Sequence, residues 1–80
     1  MAASELMQRA ERIYEDRLRT ELERSHLHAF VAIEPESGEF FLGETLSDAA
    51  AAARVKFPER RCAVLRVGHE TTVHIGAAST

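Results

Sequence analysis

Eighty residues, 45% of them apolar and 29% charged, suit one globular domain and leave too little chain for two independent cores. Ten Lys and Arg against thirteen Asp and Glu give a formal charge of -3, a field that repels nucleic acid and anionic lipid. One cysteine, Cys62, excludes an internal disulfide. No apolar run nears the ~18 residues of a membrane span, and MAASELMQRAER has no basic-apolar leader, so a cytoplasmic protein is expected.

The first element is a helix over residues 4–24. Leu6, Ala10, Ile13, Tyr14, Leu18 and Leu22 recur at spacings of three and four and share one stripe. Ser4 is its expected N-cap, and Glu5–Arg9, Glu15–Arg19 and Arg17–Glu21 are expected ion pairs on the wet side.

From His28 the period becomes two: Ala29, Val31 and Ile33 alternate with His28, Phe30 and Ala32. Pro35-Glu36-Ser37-Gly38 then turns the chain into a second strand around Phe40-Phe41-Leu42, with Gly38 supplying a positive φ. One of Phe40 and Phe41 is expected to point inward with Leu42, the adjacent aromatic pair allowing either register. Thr45 with Asp48 three residues on approximates a capping box, and Pro58 stops the helix that follows. Leu46, Ala49, Ala50, Ala53 and Phe57 form its inward face, kept flat by the run Ala49 to Ala53. Strands follow at Cys62 to Val67 and at Thr72 to Ile75, joined through Gly68-His69-Glu70-Thr71.

These elements predict an α+β fold: an N-terminal helix over residues 1–25, a β-β-α-β-β unit over 26–76, and a frayed tail over 77–80. A right-handed crossover through the second helix orders the four-stranded antiparallel sheet 2-1-3-4, with that helix packed on one face. Ala29, Val31, Ile33, Leu65, Val67, Val73 and Ile75, with Leu42, are expected beneath it. The opposite face then carries Phe30, Ala32, Cys62 and Val64 beside Arg66, Thr72 and His74. That face is too apolar to be left wet, so the first helix folds over it or a second chain covers it.

The stretches HAFVAIEPESGEFFLG, ETLSDAAAAARVKFPERR and AVLRVGHETTVHIG, over roughly residues 28–76, resemble a family of short uncharacterised bacterial proteins. Its shared pattern is "FVAI", an acidic Ser-Gly turn, "GDT" or "GET" before an Ala-rich helix, a Pro stop and a closing "RIG" or "RVG". The likeness implies a small intracellular partner-binding protein. Gly43-Glu44-Thr45-Leu46 leading into an Ala-containing helix is also similar to HicB-type antitoxin domains, which bind a toxin through sheet and helix. This chain departs from them by its leading helix and by having no DNA-binding segment after strand four.

Among the chemistries tested, His26-x-His28 with His74 and Cys62 matches no zinc-binding spacing, so no metal and no cofactor are expected. His69 reads as a turn residue. Cys62 opens a strand and reads as a small packed hydrophobe, while Glu34, Glu36, Glu39 and Glu44 form an acidic rim rather than an acid–base pair. No glycine-rich phosphate loop is present, and an enzyme is not expected.

The expected function is therefore a non-catalytic protein–protein interaction module, a homo-oligomer with a dimer favoured, or a protein that sequesters a partner encoded nearby. Its contact surface combines Leu6, Ile13, Tyr14, Leu18 and Leu22 with Phe30, Val64, Arg66 and His74. Arg66 would pair with an acidic group of a partner, or within the chain with Glu34. The alternative is nucleic-acid binding through Arg54, Lys56, Arg60 and Arg61, a cluster that equally suits a helix C-terminus.

Overall fold

In the computed structural model, the backbone is described for residues 3–69 and 72–75 and the side chains for residues 5–69. The elements are α1 (Ala3–Ile13), a π-helical turn (Tyr14–Leu18), α2 (Arg19–Ser25), β1 (Phe30–Ile33), β2 (Phe40–Gly43), α3 (Leu46–Lys56), β3 (Cys62–Arg66) and β4 (Thr72–Ile75). The fold is α+β: an N-terminal helical arm, a sheet in which β2, β1 and β3 run antiparallel in that order, and a helix between β2 and β3. At the backbone level β4 lies beside β3, with Leu65 opposite Thr72. Among the described residues no helix is long and apolar enough to cross a membrane. The tail over 77–80 lies outside the described residues.

The arm follows the expected stripe but is not one regular helix. Leu6, Ala10, Tyr14, Leu18 and Leu22 repeat every four residues, and each such step overshoots an ideal α-helical turn by roughly 40°. A regular helix would carry the last of them away from the sheet. The wide turn, in which the Arg19 N–H reaches the Tyr14 carbonyl five residues back, absorbs the surplus. Leu6, Ala10, Tyr14 and Leu22 are consequently all buried, with Ile13 and Leu18 packed beside them. Ser4 stands inside the first turn of α1 rather than ahead of it.

Two glycines fix the course of the β1–β2–α3 segment. Gly38 has φ +78° in the hairpin turn and donates its N–H to the Glu34 carbonyl at 2.8 Å. At Gly43 a Cβ would collide with the backbone nitrogen of Ala49, so β2 can meet α3 this closely only through glycine. Thr45 caps α3 as expected, its hydroxyl accepting from the Asp48 N–H at 3.0 Å. The register pairs Ile33 with Phe40 and Ala32 with Phe41, which settles the aromatic pair: Phe41 turns toward α3 and Phe40 is 40% exposed.

The assignment of helices to sheet faces is the reverse of the expectation. Val31, Ile33, Ala63, Leu65 and Val67, joined by Leu42, lie beneath the arm, packed with Ala10, Tyr14 and Leu22. Phe30, Ala32, Cys62 and Val64 lie beneath α3, packed with Ala49, Ala53, Leu46 and Phe41. Size matching accounts for this: an alanine-faced helix sits close over the small side chains Ala32 and Cys62. The long side chains of the arm fill the deeper space over the branched aliphatic face. Helices thus cover both faces, and the side expected to need a second chain is shielded within this one.

Candidate functional site

The burial pattern changes the status of the expected interface. Leu6 (2% exposed), Tyr14, Leu22 and Val64 (1%) are spent on the chain's own core, and Ile13, Leu18 and Phe30 are half-buried against it. They offer no free apolar stripe, because the arm folds back over the sheet. Arg66 is exposed as expected, but it does not reach Glu34. It stands opposite Phe30 in the register, lies 5.2 Å from that ring and donates from Nε to the His28 carbonyl at 3.2 Å. The side chain of His74 lies outside the described residues.

Glu34 is not part of an acidic rim. It is 1% exposed and closes the hairpin turn, accepting from the Glu36 N–H at 3.0 Å, the Ser37 N–H at 2.8 Å and Arg60 Nη1 at 3.1 Å. Burial works against its charge, but the two backbone donors, the Ser37 hydroxyl and Arg60 outweigh it and hold the carboxyl below its usual range. Of the basic cluster, Arg60 is therefore engaged with Glu34, and Lys56 binds Glu39 at 2.6 Å. Arg54 and Arg61 are exposed. Two of the four cations offered to nucleic acid are already paired.

Cys62 is buried among Ala32, Ala49, Ala53 and Val64. Burial and the nearby Glu34 charge push its thiol up to about 11, so it is not a poised thiolate.

Two open surfaces among the described residues bear on function. The first is the outer edge of β2. The Glu34 N–H donates to the Glu39 carbonyl, so by antiparallel alternation the Ala32–Phe41 pair is hydrogen-bonded and the pairs at Phe40 and Leu42 are not. The backbone N–H and C=O groups of Phe40 and Leu42 therefore point outward from the sheet. Glu36, Glu39 and Glu44 flank this edge, with Glu36 and Glu44 exposed.

The second is a cleft of about 560 Å³ between the arm and the end of β3, lined by Glu11, Tyr14, Glu15, Arg19, Glu23, Leu65, Gly68 and His69. Arg19 joins Glu15 at 2.8 Å and Glu23 at 3.0 Å along its helical wall. The Tyr14 hydroxyl is 3.4 Å from both Glu23 Oε2, to which it donates, and the Gly68 N–H, from which it accepts. Burial is the main reason that its pKa is raised, helped by the Glu23 charge and opposed by the Gly68 N–H.

Next to His69 of this cleft, His28 takes φ +74°, unusual for a residue with a side chain. Its N–H donates to the Val67 carbonyl at 3.0 Å, and the Val67 N–H donates to the Ala29 carbonyl at 2.8 Å. Two residues thus oppose one, a β-bulge whose first position ordinarily favours glycine. His28 Nδ1 lies 2.9 Å from His69 Nε2. This pairing is the one the sequence reading missed, since it grouped His28 with His26, Cys62 and His74. His26 instead contacts Ser25 Oγ at 2.8 Å, and Cys62 is buried under α3. Extending the β1–β3 register one step past Ala29 would have brought His28 beside the Gly68-His69 turn. Among the described residues no group of three or more His, Cys, Asp or Glu is placed to hold a metal ion.

No family model matches the chain, and neither the curated proteins nor the solved structures hold a significant match.

Proposed function

We propose that this protein is a non-catalytic interaction module that takes an extended segment of a partner protein onto the free edge of β2. The sheet is read here as four-stranded, β2-β1-β3-β4, with β2 at one margin. The observation that carries the proposal is the outward row of backbone donors and acceptors at Phe40 and Leu42. An added strand gains main-chain hydrogen bonds from such a row, with specificity coming from alternate side chains. The half-exposed Phe40 and Leu42 offer apolar contacts to those side chains.

The charge around the edge selects the partner. Glu36 and Glu44, both exposed, favour a strand with Lys or Arg at its ends and disfavour a second copy of β2, which would bring its own carboxylates alongside; Glu39 is already paired with Lys56. Sequestration of a partner, in the manner of the antitoxin-like domains, fits this surface better than self-association, whose apolar stripe is covered. The test is calorimetric titration of the full chain with extended peptides that alternate apolar residues between basic ends. Leu42→Pro removes an outward N–H from the edge, and it should abolish binding while thermal melting shows a folded protein. Binding that survives Leu42→Pro, or that prefers acidic peptides, overturns the proposal.

A further inference from the structure

We propose that the β2 edge has a direction: it takes its partner strand antiparallel, with a basic residue at the partner's N-terminal end set against Glu44. Given β2 as the docking edge, on which this rests, its two ends differ in charge. At the hairpin end Lys56 holds Glu39 at 2.6 Å, and Arg17 Nη1 lies 3.1 Å from where a Cβ on Gly38 would stand. These cations offset Glu36 and Glu39. At the Gly43 end stand Glu44 and Asp48, both exposed, with the Asp48 Cβ 2.8 Å from where a Cβ on Gly43 would stand. Among the described residues neither carboxylate joins an ion pair. Arg66 stands across Phe30 from Gly43 and is turned onto the Phe30 ring and the His28 carbonyl. Asp48 lies in the first turn of α3 and answers the positive end of that helix, which leaves Glu44 to a partner.

Strand pairing supplies the direction. β2 already pairs antiparallel with β1, and an antiparallel ladder is slightly the more stable one for the outward groups of Phe40 and Leu42. β2 runs from Phe40 to Gly43, so an antiparallel partner begins at the Gly43 end. The side chains of Phe40 and Leu42 share the arm's side of the sheet with their register partners Ile33 and Val31. The segment that fits therefore has Lys or Arg first, followed by two apolar residues separated by one position.

The test uses the full chain and two end-blocked peptides of one composition, the second the first in reverse order, so that lysine precedes the alternating apolar residues in one and follows them in the other. Calorimetry should find the lysine-first peptide tighter by about threefold, the size of one exposed ion pair. Glu44→Gln should remove that preference, and Glu36→Gln should keep it. A nitroxide on the N-terminus of the lysine-first peptide should broaden the amide signals of Gly43 and Glu44 rather than those of Ser37 and Gly38. Equal affinities, a preference for the lysine-last peptide, a preference that survives Glu44→Gln, or broadening at the Gly38 end overturns the direction and leaves β2 as the docking edge. Failure of both peptides to bind, or binding undiminished in Leu42→Pro, overturns the docking edge and the direction with it.

Discussion

Arg60 donates to Glu34 at 3.1 Å in an ion pair whose acid is buried and whose base is half exposed. The two ends of this pair should therefore differ in what their removal costs. Glu34→Ala strands the Glu36 and Ser37 N–H groups, at a cost of about 1–3 kcal/mol. Arg60→Ala leaves Glu34 its backbone donors, and solvent screening on the arginine side limits the loss to about 1 kcal/mol. Urea melts of the two variants would show the asymmetry.

The same carboxyl shapes the acid limb of stability. Its pKa is lower folded than unfolded, so the unfolded chain binds the proton first as pH falls. The stabilisation is complete above the ordinary carboxylate value of about 4.3 and disappears as pH drops through the folded-state value. Glu34→Gln should flatten that limb in a pH series of thermal melts, and an unchanged slope would count against the clamp.

Tyr14 is the only tyrosine and there is no tryptophan, so absorbance at the tyrosinate band reports it alone. The folded protein should ionise this phenol above the free value of about 10, the ordinary transition returning in denaturant. The unfolded chain gives up this proton at lower pH than the folded one, so stability falls as pH rises past that point. Tyr14→Phe removes the link between Glu23 and Gly68, costs about 0.5–1.5 kcal/mol and abolishes the effect.

A thiol pushed up to about 11 inside a packed cluster should not react. At pH 8 a thiol-specific reagent should leave Cys62 unmodified in the native protein and label it once urea unfolds the chain. Rapid native labelling would show that α3 does not cover the Cys62 face.

Because the stripe of the arm is satisfied within the chain, Leu22→Ala should destabilise by about 2–5 kcal/mol. The melting temperature of both proteins should not change with protein concentration. A melting temperature that climbs with concentration would instead place Leu22 between subunits.

The sequence made the elements legible because their punctuation is local. Thr45, Gly38 and Pro58 act on neighbouring residues, and the four-residue recurrence from Leu6 to Leu22 marks the arm. Which side of the sheet each helix covers was not legible, since alternation separates the two faces without saying which belongs to which helix. Comparing the small Ala32 and Cys62 with the alanines of α3 would have decided it. The π-helical turn was hidden in plain spacing: repeated steps of four are too long for a regular helix. The Glu34 clamp and the His28–His69 pair are contacts over 26 and 41 residues, and neither partner advertises the other.

The bed on which the arm rests is supplied partly by β1 and partly by Ala63, Leu65 and Val67, which come late in the chain. During synthesis the arm is therefore finished well before half of its seat exists, and its leucines wait uncovered while α3 is still being made. Docking is completed only when β3 pairs beside β1, so burial of the arm depends on contacts far apart in sequence, the kind that slow folding. A ribosome-bound nascent chain stopped before residue 62 would offer those leucines to chaperones, and one released after residue 69 would not.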